Sequence, residues 1–260
     1  MISIGTSGFS FKDWKGVFYP DGTKPGDYLS YYKDHFDTVE INSTYYGIPK
    51  AGVFENMLEK TPGNFEFMVK VNKATTHEYS DSDVADELNE SVRPLKEAGR
   101  LSGLLAQFPW GFKNDQKNRR YLSELSGKHA ESGTPYFVEF RHDSWNRDEV
   151  YDYIGRLGLR FVSVDEPQIG GMMPPVACAT GDVGYIRFHG RNEQTWWGKS
   201  GDRYDYDYTE EELEPWIDKI EQLEKTVWKI YAFFNNCHKG YAVKNALQFK
   251  KMLEKRGKKI

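Results

Sequence analysis

Short runs of strand character recur along the whole chain with helix-like segments between them, and this alternation confines the sequence to an α/β fold. Eight such runs read at residues 2–5, 38–42, 65–71, 103–108, 136–141, 160–165, 185–191 and 229–234. Consecutive runs start roughly two to four dozen residues apart, as right-handed strand–helix–strand units require. Helical periods fill the intervals at 28–36, 50–61, 82–98, 114–127, 146–157, 209–223 and 241–256. Ser82 or Asp83, Asn114 or Asp115, Asn146 with Glu149, and Thr209 with Glu212 supply their expected N-terminal caps. Pro62-Gly63 stops the second helix, and Pro94 predicts a kink or early end to the third. Residues 166–182 carry Pro167, Gly170, Gly171, Pro174 and Pro175 and no helical period, so the sixth helix is expected to be irregular or missing.

This order predicts a single (β/α)8 TIM-type barrel domain over 1–260, a length usual for that fold. An open doubly wound sheet is the competing arrangement. Against it, the first turn, Gly5-Thr6-Ser7-Gly8, lacks the third glycine of a dinucleotide fingerprint. Nothing else in the sequence calls for a cofactor.

Composition narrows the partners. A net charge of −4 gives no global attraction to nucleic acid or to an anionic membrane. No apolar run approaches the length of a membrane span, and the chain opens on a strand pattern rather than a leader. The two cysteines, Cys178 and Cys237, are far apart and lack metal-ligand spacing, which fits a reducing, cytoplasmic setting. Aromatic residues make up 15% of the chain, enough to bury a large core with modest aliphatic content.

In a barrel of this kind the site lies at the C-terminal ends of the strands. Strand parity there selects polar residues: Glu40 and Asn42, Lys70, Gln107, Glu139 and Arg141, Asp165, Arg187 and His189, and Asn235. The run Tyr185-Ile186-Arg187-Phe188-His189 is the plainest case, with Tyr185, Arg187 and His189 on one face. Three carboxylates (Glu40, Glu139, Asp165) balance three cations (Lys70, Arg141, Arg187), a set that is self-consistent without a metal. Convergence of His142, His189, Glu139 and Asp165 would supply metal ligands instead. His189 reads as a general acid/base, with Glu139, Asp165 or Glu40 as partner or second base. Arg187, Arg141 and Lys70 read as a clamp on an anionic group, with Gln107, Asn42 and Asn235 as further ligand contacts.

Tyr45, Trp145 and further aromatics in the same loops suit stacking against a sugar or a base, or packing of the loops onto the barrel. Residues 192–208 are long and aromatic enough for a lid. Cys237, after Asn235-Asn236 and before His238, is a weaker candidate nucleophile.

Several of these stretches together form a pattern. They are Gly5-Thr6-Ser7-Gly8-Phe9, Val39-Glu40-Ile41-Asn42-Ser43-Thr44-Tyr45-Tyr46 and Gln107-Phe108-Pro109, followed by 138–145, Arg187-Phe188-His189-Gly190-Arg191 and Phe234-Asn235-Asn236. Over essentially its full length the chain resembles the YecE-like family, domain of unknown function 72. The resemblance implies a TIM-type barrel and no settled activity. The residues themselves point to a metal-independent hydrolase or isomerase working by general acid/base catalysis on a polar, anionic small molecule, such as a sugar or a phosphorylated compound. A non-catalytic nucleotide or nucleic-acid binding module and a metal-dependent phosphodiester hydrolase are the alternatives. Oligomeric state leaves no mark in the sequence.

Overall fold

Nine parallel strands in two sheets, with helices between most of them, make up the computed structural model, which describes residues 1–80, 82–198 and 201–260. The strands are β1 (Ile2–Thr6), β2 (Thr38–Ile41), β3 (Glu66–Lys70), β4 (Leu101–Gln107), β5 (Tyr136–Glu139), β6 (Arg160–Phe161), β7 (Ser163–Asp165), β8 (Val183–Phe188) and β9 (Lys229–Phe234). The helices are α1 (Tyr28–Tyr32), α2 (Ala51–Glu59), α3 (Ser82–Glu97), α4 (Gln116–His129), α5 (Asp148–Arg156), α6 (Glu210–Leu223) and α7 (Tyr241–Lys255). One sheet runs β1-β9-β8-β7 and the other β2-β3-β4-β5-β6, every neighbour parallel. The fold is thus α/β with parallel sheets, but the ladders form two sheets rather than the one closed ring expected. β1, β2, β5, β8 and β9 are buried along their whole length, as parallel strands covered on both faces must be.

The run at 160–165 splits at Val162. Arg160–Phe161 pairs with β5, and Ser163–Asp165 pairs with β8. The chain therefore passes from one sheet to the other at this residue, and the backbone N–H of Val162 still donates to the Val138 carbonyl at 3.0 Å. At the far side the sheets meet where Ser7 bridges Glu40 and the Gly8 N–H donates to the Glu40 carbonyl at 2.7 Å.

Side chains from the two sheets cross a shared interior. At the N-terminal strand ends, Lys229 on β9 pairs with Glu66 on β3 at 2.7 Å, and Tyr231 donates to the same carboxylate at 2.9 Å. One level up, the Tyr185 ring meets Phe137 edge-on at 5.1 Å and Phe233 at 5.4 Å. Above these lies the charged layer that the strand parity anticipates.

Most helix signals take their expected form. Thr209 and Glu212 close a reciprocal capping box on α6, and the Asp115 side chain accepts from the Asn118 N–H at the start of α4. Asn146 does not cap α5; its side chain accepts the Tyr151 hydroxyl, and Arg147 holds the N-cap position without a side-chain bond. α3 runs through Pro94 to Glu97, and its anticipated caps, the Ser82 and Asp83 side chains, lie outside the described residues. No helix forms over 166–182. Among the described residues no helix is long and apolar enough to cross a membrane, and both cysteines are free thiols.

Candidate active site

The upper interior is organised by Arg187. From β8 its guanidinium grips Glu40 on β2 through Nε and Nη2, at 2.8 and 2.6 Å, and reaches Glu139 on β5 through Nη1 at 2.7 Å. All three side chains are fully buried. The Tyr185 hydroxyl also donates to Glu40. Burial pushes the Glu40 carboxyl up, but Arg187, Tyr185 and Ser7 pull harder and leave it below the usual range. Glu139, between Arg141 and Arg187, is held well below that range despite its burial. Both shifts favour the ionised carboxylates, which serve as counter-charges to the arginines.

Arg141, just past β5, lies 2.8 Å from Glu139 through Nε and 2.5 Å from Glu166 through Nη1. Glu166 accepts the Met173 N–H through its other oxygen at 3.2 Å. Burial lifts the Glu166 carboxyl to about 8 against the pull of Arg141. Sequence reading missed Glu166 because strand parity chose its neighbour. Asp165, expected in the mouth, faces outward on β7 instead. It accepts two bonds from Arg191 at 2.8 and 2.7 Å, one from the Tyr208 hydroxyl at 2.8 Å, and one from the Trp216 indole at 2.7 Å. Alternation runs unbroken through Val162: Val164 pairs with the inward Arg187 and Asp165 with the outward Phe188, so Glu166 rather than Asp165 falls on the interior face.

His189 lies beneath the cavity floor, fully buried. Its Nε2 is 3.1 Å from Glu139, and Nδ1 is 3.0 Å from the Asn235 amide nitrogen. A neutral ring with the proton on Nε2 satisfies both neighbours. Burial and the adjacent Arg141 hold its pKa well below the ordinary histidine value, which keeps that ring neutral.

Above this layer opens a cavity of about 810 Å³. Lys70, Gln107, Asn42, Asn235, Arg141 and Tyr45, all expected from sequence, line it. Among its lining residues Lys70, Arg141 and Arg203 are cationic and none is acidic. Asn42 donates to Glu40 at 2.9 Å and so joins the floor to the charged layer below. Lys70 donates to the Gln107 side-chain carbonyl at 2.9 Å and sits 4.5 Å above the Tyr45 ring. Burial, reinforced by Arg187, lowers its amine to about 7.

Aromatic side chains form the rim. Trp196 packs over the Arg141 guanidinium, Trp110 meets Trp197 edge-on, and Tyr46 is 80% exposed, so its face is free to stack. Trp145, expected among them, is instead buried between Phe140 and Phe112, with its indole donating to the Phe112 carbonyl at 2.6 Å. The loop at 192–208 contributes Trp196, Trp197, Arg203 and Tyr204 to the lining, while residues 199 and 200 lie outside the described residues. Arg203 had no strand parity to mark it.

Cys237 lines the cavity, but burial raises its thiol pKa, and its Sγ donates to the Ser7 carbonyl at 3.3 Å. A thiol so held is a poor nucleophile. The set His142, His189, Glu139 and Asp165 does not converge, because Asp165 is turned outward and His142 accepts from the Ser144 N–H at 3.1 Å. Among the described residues no three His, Cys, Asp or Glu side chains are grouped as metal ligands.

Comparison with known proteins places this architecture. The family model described as protein of unknown function DUF72 matches residues 3–260. UPF0759 protein YunF of Bacillus subtilis (strain 168) is 32% identical over 273 residues, covering 98% of this chain and 95% of its own. A crystal structure of a DUF72 family protein from Thermotoga maritima MSB8 is similar with a TM-score of 0.90 at 45% identity, covering 98% of this chain and 99% of that one. Another, from Enterococcus faecalis V583, gives 0.85 at 27% identity, covering 98% and 96%. By sequence and by structure, this chain belongs to the DUF72 family.

Proposed function

We propose that the chain is a small-molecule enzyme in which the two sheets act as the wall of one (β/α)8-type barrel domain spanning 1–260. Its mouth then binds an anionic, ring-bearing substrate and hydrolyses or isomerises it by general acid/base catalysis. The observation that carries this reading is the sign of the lining: among the described residues Lys70, Arg141 and Arg203 face the cavity and no carboxylate does. Such a surface selects a carboxylate or phosphate, and the aromatic rim suits the flat face of a sugar or heteroaromatic ring. The cross-sheet pairs Arg187–Glu40 and Arg187–Glu139 support treating the two sheets as one wall.

Within this reading Lys70 is the proton acceptor, because it faces the cavity and its amine titrates near neutrality. Glu40, Glu139 and His189 are positioning residues: they hold Arg187, Arg141 and Asn235 in place from below the floor. A non-catalytic binding module is the second reading, favoured by the exposed Tyr46 and Trp197 faces on the rim, 80% and 60% exposed.

A thermal-shift comparison of phosphorylated ring compounds with their dephosphorylated forms tests the anion reading, since a ligand bound by the native state raises its melting temperature. Pyridoxine phosphate and ribose phosphate should stabilise the protein where pyridoxine and ribose do not. Arg203→Ala should then weaken binding about ten- to a hundredfold, the usual worth of a charge-assisted hydrogen bond. Equal shifts with charged and neutral forms would sink this assignment. For a ligand that turns over, kcat/KM should rise with pH through about 7 as Lys70 loses its proton, and Lys70→Met should lose that limb. A ligand that binds and never turns over favours the binding module.

A further inference from the structure

We infer that Lys70 is a nucleophilic amine that forms an imine with a carbonyl group of the bound anion. This rests on the reading of the cavity as an anion site and narrows its substrates to anionic aldehydes or ketones, to which Lys70 bonds instead of taking a proton.

The argument begins with what surrounds the amine. A lysine at the end of a barrel strand ordinarily pairs with a carboxylate when buried. Here the carboxylates near Lys70 are committed elsewhere: Glu40 to Arg187 and Tyr185, and Glu139 to Arg187 and Arg141. The direct partner of Nζ is a neutral amide oxygen, that of Gln107, and one side of it is covered by the Tyr45 ring. The charged groups that act on Lys70 from the packed elements are Arg187 on β8, Glu139 and Arg141 at the end of β5, and Glu40 on β2; His77, in the π-helical turn Ala74–Glu78 after β3, feels its charge in turn. Burial and the two guanidiniums disfavour the ammonium form, and the two carboxylates offset this only in part, which lowers the amine to about 7. Neighbouring cations and desolvation are the two devices that turn a lysine into a nucleophile.

Geometry completes the case. Nζ lies in the cavity lining, on a rigid strand end, with Arg141 and Arg203 lining the same space. An anionic group held by the arginines leaves the remainder of a small molecule over the amine. Gln107 accepts one N–H and so fixes the amine's direction without protonating it. In the reaction the Nζ lone pair attacks the carbonyl carbon and a C–N bond forms. The two amine hydrogens then leave with the carbonyl oxygen as water, and a C=N bond remains. No oxidant or reductant is required.

Pyridoxal phosphate, an anionic aromatic aldehyde, serves as the probe, with borohydride delivering hydride to the C=N carbon and fixing the adduct as a secondary amine. At neutral pH and equimolar probe, peptide mapping should place the label on Lys70 ahead of the exposed lysines, which remain protonated there. Lys70→Arg should lose that label, and labelling of the wild type should rise through about pH 7 as the amine loses its proton and level off above it. Excess pyridoxine phosphate, which carries the ring and phosphate but no aldehyde, should protect Lys70. Label spread over surface lysines with Lys70 unmodified overturns the imine. If pyridoxine phosphate still stabilises the protein in that case, the anion-site reading survives alone; if it does not, both fall.

Discussion

Arg187 shows how a single residue fixes the site. Its fork spans two carboxylates from two different strands of the opposite sheet, so neither glutamate can be moved without leaving a charge uncompensated. Breaking such a fully buried pair from one side costs about 3–5 kcal/mol. Arg187→Met should therefore lower the urea midpoint by an amount corresponding to that range. A loss below about 1 kcal/mol, typical of a solvated pair, would show that the carboxylates are screened by water. Lys70 works in the opposite sense. Its folded pKa lies near 7 and its unfolded value near 10.5, so between these limits the unfolded chain binds the extra proton. Stability should rise with pH across that window, and the Lys70→Met variant should lose this slope. Unfolding free energies measured from pH 6 to 10 would show it; parallel curves for the two proteins would refute the depressed amine.

At the scale of elements, the turn from β7 into the irregular 166–182 segment divides two adjacent carboxylates between different jobs. Glu166 supports Arg141 from within, while Asp165 ties Arg191, Tyr208 and Trp216 to the outer face, and so anchors the loop before α6 and α6 itself. Asp165→Ala strips partners from three donors at a buried position, each worth about 1–3 kcal/mol. The variant should melt several degrees lower yet bind the phosphorylated ring compound unchanged, as calorimetry would report. Loss of affinity without loss of stability would put Asp165 back among the ligand contacts. This is also where the sequence misleads. Alternation correctly brings Glu40, Glu139, Arg187 and Lys70 to one interior, since period two ties every second residue to the same face. It fails at Asp165, because this strand is buried on both faces and nothing in the pattern says whether Asp165 or Glu166 belongs to the interior. Arg203 was illegible for a different reason: its position depends on a loop path, and loops have no period to read. Trp145 was misplaced because an aromatic after a strand stacks equally well on a ligand or on Phe140 and Phe112.

The whole molecule depends on how the two sheets meet, and below the Ser7–Glu40 bridge the meeting of β1 with β2 uses a side chain where ladder bonds would run. The Tyr32 hydroxyl accepts from the Thr6 N–H at 2.9 Å and donates to the Thr38 carbonyl at 3.2 Å, bridging strands that belong to different sheets. Close approach there requires glycine. A Cβ on Gly5 would lie 2.5 Å from the Thr38 carbonyl oxygen and 3.1 Å from the Phe233 ring. Below the Ser7–Glu40 bridge the Tyr32 hydroxyl thus stands in for ladder bonds, while Glu40, two residues along β2 from Thr38, reaches Arg187 on the other sheet. Tyr32→Phe leaves a buried N–H and a buried carbonyl without their partner, at a cost of about 1–3 kcal/mol each. Gly5→Ala should cost a similar amount by forcing the strands apart. Because both act on one seam, the double variant should lose less than the sum of the single losses, the discrepancy exceeding about 0.5 kcal/mol. Urea unfolding of the four proteins of this cycle measures that coupling. Strict additivity would mean that the two residues stabilise their own strands separately and do not act through a shared seam.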